Sequence, residues 1–255
     1  MFSKLNVILN IPEVFMKNQK VKILLIIPAY NEEENILNTY KTIEDYNKKN
    51  KINYDVIVIN DGSLDNTSRI CHENNISVID LIRNLGIGGA VQTGYKYALE
   101  HNYDIAIQFD GDGQHDVNYV KDIIKPILEK KANMVIGSRF IDNTKSDFKS
   151  TKARRIGINI ISKIIKLKTK IKIYDTTSGF RAGDKEIIKQ FALTYPTEYP
   201  EPISTVEVIN HNRKIKEVPV NMKERIGGKS SINSWKKAYY MINVILSILL
   251  MRKGK

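Results

Sequence analysis

The 255-residue sequence has one cysteine, Cys71, so it cannot form an internal disulfide, and a reducing cytoplasm is its natural compartment. Cys71 lies in a helical pattern over residues 67–74, where a packing or surface role outweighs a nucleophilic one. A run of the roughly 20 apolar residues that a membrane-spanning helix needs is missing as well. The apolar stretch at residues 238–251 is too short to cross alone. Residues 1–20 carry only Lys4 as an early charge and have no clean apolar run or small-residue cleavage site, a poor match to a secretory signal. Because Met16 directly precedes Lys17 and the first strand, the first fifteen residues are expected to be a dispensable leader or an upstream start. His72, His101 and His211 have no metal-ligand spacing, no Ser-His-Asp or Cys-His constellation is legible, and no internal repeat is evident.

What is present is an ordinary folding composition, 42% hydrophobic and 27% charged, long enough for one sizeable α/β domain or two small ones. The formal net charge of +12 calls for an anionic partner. It is concentrated: residues 145–172 hold ten Lys or Arg against one acid, Asp147. That tract has none of the aromatic platforms of a single-strand nucleic-acid binder, so nucleic acid is not the expected partner. An anionic lipid surface or a lipid phosphate fits, and a merely solvated basic face stays open.

Short apolar runs at residues 21–28, 54–60, 76–82, 103–109 and 134–137 read as buried strands. Helical patterns lie between them, over 31–46, 67–74, 87–101 and from Asp116 towards Glu129, the last with a break or kink expected at Pro126. Asp65 or Asn66 is placed to cap the second helix. This alternation implies right-handed βαβ units in a mostly parallel sheet, which binds ligands at the carboxyl ends of its strands. The unusual residues, 28–32, 61–63 and 110–115, lie at those ends. In the second half, residues 151–166 form a basic amphipathic helix with Ile156, Ile160, Ile161, Ile164 and Ile165 along one stripe. Residues 174–184 are turn-rich, 195–202 read as a proline-shaped loop, 215–220 as a strand and 225–231 as a Gly/Lys loop.

Asp110-Gly111-Asp112 follows a buried strand directly, and two carboxylates at a tight turn can face one hard divalent cation, Mg²⁺ or Mn²⁺, that takes phosphate oxygens as further ligands. Gln114 and His115 could extend that shell. An EF-hand fails, because its fifth, sixth and twelfth positions counted from Asp110 are Gln114, His115 and Lys121. A dinucleotide fingerprint at Gly86-Ile87-Gly88-Gly89-Ala90-Val91 fails at Val91, where glycine or alanine is required. Gly86, Ala90, Gly94 and Ala98 recur every four residues and read as a smooth helix face packed on the sheet.

At these residues the sequence resembles the family 2 glycosyltransferases, particularly the polyprenyl-phosphate sugar transferases. The resemblance runs from about residue 21 to 231. Its landmarks are Pro28-Ala29-Tyr30-Asn31-Glu32, Asn60-Asp61-Gly62-Ser63, residues 110–115, Gly137-Ser138-Arg139-Phe140, Thr177-Ser178-Gly179-Phe180-Arg181, Glu217-Val218-Pro219 and residues 225–230. It implies a GT-A-type, Rossmann-like sheet flanked by helices over residues 21–231, after a leader at 1–20 and before a C-terminal apolar, membrane-associated helix at 232–255. It also implies roles. Pro28, Tyr30, Glu32, Ile59, Asp61 and Gly111 would form the nucleotide pocket, with Asp61 accepting from the base. Asp110, Asp112 and Gln114 would hold the metal and diphosphate, Arg139 and Arg225 the phosphate oxygens, and Arg154 or Arg155 an acceptor phosphate. Asn60 stands where many members have a second aspartate.

The implied reaction is inverting displacement at the anomeric carbon, with a nucleoside-diphosphate sugar, preferentially a UDP-hexose, as donor. A hydroxyl acceptor needs a base, for which Asp175, Glu198 and Glu201 are candidates, whereas a polyprenyl phosphate is already ionised. The basic tract favours the lipid phosphate, with a polysaccharide hydroxyl as the alternative and a catalytically silent sugar-nucleotide binder as the third reading. The basic flanks of residues 238–251 suit a helix lying at the cytoplasmic face of a membrane, where a separate small membrane protein is the expected partner.

Overall fold

A strand covered on both faces has no polar side to show, and all seven residues of β1 (Ile23–Ala29) are buried. In this computed structural model, which describes residues 21–141, 152–222 and 234–251, β1 lies inside a seven-stranded sheet. The other strands are β2 (Tyr54–Asn60), β3 (Val78–Asp80), β4 (Ile105–Gln108), β5 (Met134–Ser138), β6 (Arg181–Asp184) and β7 (Ile215–Pro219). The helices are α1 (Ile36–Asn50), α2 (Thr67–Glu73), α3 (Gly86–Glu100), α4 (Val120–Leu128), α5 (Lys152–Thr169), α6 (Lys185–Leu193), α7 (Pro200–Asn210) and α8 (Ser234–Leu250). Strand order is β3-β2-β1-β4-β6-β5-β7. Only β6 runs antiparallel to its neighbours, β4 and β5, so the sheet is mostly parallel, as expected.

Alternate side chains of β1 feed two cores. Leu24 and Ile26 join residues of α3, α5, α6, α7 and α8 on one face. Ile23, Leu25 and Ile27 join residues of α1 and α4, with Cys71 of α2, on the other. Burial pushes the Cys71 thiol up to about 11, which makes it a packing residue and a poor nucleophile.

The structure corrects several boundaries. β3 spans three residues of the 76–82 run, whose last residue, Ile82, is fully exposed. α1 begins at Ile36, leaving 31–35 as loop. α4 continues through Pro126 to Leu128. On α5 the buried stripe is Ile158, Ile161 and Ile165, while Ile156 and Ile160 face solvent. The proline-rich segment initiates α7, since Pro200 sits in the first turn, where its missing N–H leaves no bond unmade. Of the glycine stripe, Gly94, Ala90 and Ala98 pack as expected, but Gly86 has open space around its Cα and a φ of +78°, so a turn requires it. α8 sends Val244 and Ile248 into the core and leaves Ile242, Leu246, Leu249 and Leu250 exposed. No helix among the described residues is long and apolar enough to cross a membrane. The leader, the Gly/Lys loop with Arg225, and the expected boundary at 231/232 lie outside the described residues.

α3 sits so close to β1 that a Cβ on Gly94 would lie 2.2 Å from Ile26 Cγ2. Gly94→Ala should therefore destabilise the protein by about 1–3 kcal/mol in urea unfolding. Unchanged stability would mean that helix and strand are not in that contact.

Candidate functional site

Parallel strands β1, β2 and β4 end at one crevice, and their loops are bonded to each other. The Asp61 N–H donates to Ala29 O at 2.8 Å and Phe109 N–H to Ile26 O at 2.9 Å. Thr39 Oγ1 donates to Gly111 O at 3.0 Å. A Cβ on Gly111 would lie 3.4 Å from Pro28 O, which brings the 110–112 turn against the end of β1. Asn31, at φ +55°, receives the Leu64 N–H on its Oδ1 and donates its own N–H to Ser63 Oγ. Glu32 N–H donates to Thr67 Oγ1, and Asp65 Oδ1 accepts from Thr67 N–H, so Asp65 performs the capping expected of it or of Asn66.

On the β2 side, buried Asp61 accepts the Leu85 N–H at 2.7 Å. Burial raises its pKa, against the backbone N–H groups of Leu85 and Gly86. Asp61 thus caps the start of α3, and any contact to a ligand base is shared with that duty. Asn60 Nδ2 donates to Asp80 Oδ1 at 2.6 Å. Tyr30 is 45% exposed at the crevice mouth, whereas Ile59 is wholly buried in the core and can offer only its backbone.

The acidic turn is all oxygen in its donors. Asp110 and Asp112 are half-buried on either side of buried Gly111, Gly113 takes a φ of +75°, and Asp112 Oδ1 accepts the Gln114 N–H at 3.1 Å. Among the described residues, no group of three or more His, Cys, Asp or Glu side chains is placed to hold an ion by itself. Two carboxylates that need substrate oxygens to complete a shell fit Mg²⁺ or Mn²⁺ shared with a diphosphate. His115 does not extend that shell. It is buried, its Nδ1 accepts the Asp110 N–H at 2.9 Å, and burial depresses its pKa to about 4.

Asp175, expected as a candidate base, is completely buried and committed to Arg139. Its Oδ2 accepts from Arg139 N–H at 3.0 Å and from Nε at 2.7 Å, and its Oδ1 from Nη2 at 2.8 Å. A carboxylate so enclosed has no open path to a substrate proton. Glu217 Oε1 and Oε2 accept the Asp175 and Tyr174 N–H groups, each at 2.8 Å, and so hold the loop that carries Asp175. Composition could not disclose this clamp, because Glu217 sits 42 residues away on β7.

Glu201 begins α7 beside the acidic turn. Burial raises its carboxyl pKa, Arg181 and a hydrogen bond to Gln108 oppose this, and Asp110 pushes it further up. Arg181 is itself buried, with Nη1 donating to Glu201 O, Ser204 Oγ and Thr205 Oγ1. Glu198, the third base candidate, has no such enclosure. Arg155 stands 3.7 Å over the Phe140 ring, which also lies 5.2 Å from the Arg139 guanidinium. Arg155 Nη1 is buried without a hydrogen-bond partner, whereas Arg154 is exposed. Of the pair, Arg155 is the more buried, packed on the ring that also meets Arg139.

The family model described as Glycosyl transferase family 2 matches residues 24–191. UDP-N-acetylglucosamine–dolichyl-phosphate N-acetylglucosaminyltransferase of Methanococcus voltae is 31% identical over 91% of this chain and 97% of its own. Undecaprenyl-phosphate mannosyltransferase of Micrococcus luteus is 26% identical over 88% of this chain and 93% of its own. Among solved structures, glucosyl-3-phosphoglycerate synthase of Mycobacterium tuberculosis, crystallised with Mn²⁺, UDP and phosphoglyceric acid, superposes with a TM-score of 0.67 at 16% identity, covering 93% of this chain and 80% of that one. That likeness establishes a GT-A-like α/β fold.

Removing one partner of a buried ion pair strands the other charge. Asp175→Ala should cost about 3–5 kcal/mol in urea unfolding, and Arg139→Met with Asp175→Leu together should cost less than Asp175→Ala alone. Wild-type stability in Asp175→Ala would mean that the carboxylate is not held in a buried pair with Arg139.

Proposed function

The chain belongs to glycosyltransferase family 2, and on that premise we propose that it transfers a sugar from a nucleoside-diphosphate sugar, preferentially a UDP-hexose, to a polyprenyl phosphate for cell-surface glycan assembly. The observation that carries this reading is Arg155, whose buried, unpartnered Nη1 lies at the head of a helix without a single acid. The two relatives named for dolichyl-phosphate and undecaprenyl-phosphate transfer support it.

The residues divide the work as follows. Tyr30, Glu32 and the backbone at 28 and 59–61 hold the nucleotide. Asp110 and Asp112, with Gln114 beside them, would hold Mg²⁺ or Mn²⁺, which would supply positive charge to the departing diphosphate. Arg155 orients the acceptor phosphate, and Arg139, pinned by Asp175, offers positive charge beside it. An oxygen of the acceptor phosphate attacks the anomeric carbon as the bond to the diphosphate breaks, and the configuration inverts. The bonding pair leaves with the nucleoside diphosphate, and no proton has to be removed.

A second reading has its own support. The raised pKa of Glu201, next to Asp110, suits a general base for a glycan hydroxyl. Glu201→Gln separates the two: turnover onto a short polyprenyl phosphate should stay within about threefold of wild type, whereas a reaction that needs the base loses about 100-fold or more. A loss of that size with the lipid phosphate would reject the primary reading.

We place the enzyme at the cytoplasmic membrane face through α5 and α8. Ile156 and Leu167 are 60% and 70% exposed on α5, and Leu250 is 78% exposed on α8. Lys168 Nζ donates to Leu249 O, which joins the two helices beside the lysines of α5. Neither the structure nor the relatives supports a separate small membrane protein, and the proposal does without one. Vesicles containing anionic lipid should bind the protein more tightly than neutral ones, and Ile156→Ser with Leu167→Ser should weaken binding about tenfold. Equal binding to neutral vesicles, or none to either, would contradict this placement.

A further inference from the structure

Asn60 and Asp80 are the last residues of β2 and of the edge strand β3, and they are partners in the parallel register. Leu81 N–H donates to Asn60 O at 2.9 Å, so the two main chains are joined where the 60–63 loop leaves the sheet. Asn60 is buried, and both ends of its amide are engaged. Its Oδ1 accepts the Ser63 N–H at 3.2 Å, and its Nδ2 donates to Asp80 Oδ1 at 2.6 Å. A backbone N–H can only donate and an ionised carboxylate can only accept, so the two contacts fix which way the amide faces. Ser63 Oγ in turn accepts the Asn31 N–H at 2.9 Å, which carries the connection to the 28–32 loop. Behind Asp80, Nε2 of His72 on α2 lies 2.8 Å from Oδ2. Burial raises the Asp80 pKa, but hydrogen bonds from Asn60, His72 and Ser68 outweigh it and leave the carboxyl below its ordinary value. Asp80 is thus the charged member of the pair.

We propose that Asp80 is a positioning residue for the donor nucleotide, holding the 60–63 loop in its binding shape through the amide of Asn60. The inference rests on the nucleotide reading above and deepens it by naming what sets that loop. It makes residues 60 and 80 a matched pair of one amide and one carboxylate. Asn60→Asp would still accept the Ser63 N–H, but its other oxygen would meet the Asp80 carboxylate, where like charges repel. With Asp80→Asn added, the carboxylate at 60 accepts both the Ser63 N–H and the amide N–H at 80, and the connection closes again.

Isothermal titration with UDP in the presence of Mn²⁺, or with GDP if the wild type binds that instead, tests it well below each variant's melting temperature. Asn60→Asp should weaken the nucleotide about tenfold, and adding Asp80→Asn should return affinity to within about threefold of wild type, the coupling expected of two groups in direct contact. Asp80→Ala, which leaves Asn60 Nδ2 without its acceptor, should also weaken the nucleotide about tenfold. Asp80→Asn alone still accepts that bond and should keep most of the affinity. A pair that only supported the fold would move melting temperatures and leave the affinity of the folded protein unchanged. Wild-type affinity in Asn60→Asp and Asp80→Ala would therefore overturn the proposal. So would a loss in Asn60→Asp that Asp80→Asn fails to repair, or equal losses in Asp80→Ala and Asp80→Asn. If Asn60→Asp does not fold, the two variants at residue 80, whose side chain is 39% exposed at the sheet edge, still decide. Binding of neither UDP nor GDP by the wild type would remove the nucleotide reading itself, whereas equally tight binding by wild type and variants would remove only the role of Asp80.

Discussion

A guanidinium and a carboxylate buried together cannot part without leaving a bare charge in the protein interior, and the Arg139–Asp175 pair imposes that constraint on half of the site. Arg139 directly follows β5, Asp175 lies in the loop after α5, and Glu217 of β7 holds that loop by two backbone N–H groups. The pair therefore ties one end of the sheet to the basic helix. Phe140 extends the connection to Arg155. A buried ion pair adds little net stability over apolar packing of the same volume, so its contribution here is position.

The other half of the site depends on parallel strands that end together. β1, β2 and β4 deliver the 28–32, 60–63 and 110–115 loops to one crevice, where backbone bonds join them before any ligand arrives. Asp61 and His115 show the economy of the arrangement. Each is buried, and each accepts a backbone N–H of its own surroundings.

Sequence periodicity disclosed the parts that local residues determine. The runs in β1, β2 and β4 are apolar because both faces of those strands are covered, and the polar turns at their ends stood out against them. β6 was not legible: Arg181–Asp184 has no apolar run, and strands on both sides impose its conformation. α7 was hidden by prolines that break a helix interior but suit its first turn. The stripe on α5 was misplaced because isoleucines occur on both its buried and exposed faces. Asp175 looked like a base because its partner is 36 residues away, a distance at which composition carries no pairing information. The family landmarks located the site, and only tertiary structure separated Arg155 from Arg154.

The proposed function puts an anionic donor at one side of the crevice and an anionic acceptor at the other. On that reading the carboxylates of the first side take a cation, and Arg155 on the second, its Nη1 buried without a hydrogen-bond partner, takes a phosphate. The most direct measurement is release of nucleoside diphosphate from a panel of sugar nucleotides with Mn²⁺, with and without a short polyprenyl phosphate, for wild type and Asp112→Ala. The account predicts metal-dependent release that the lipid phosphate stimulates and that Asp112→Ala abolishes. Release that ignores the lipid phosphate, or that survives in Asp112→Ala, would contradict it.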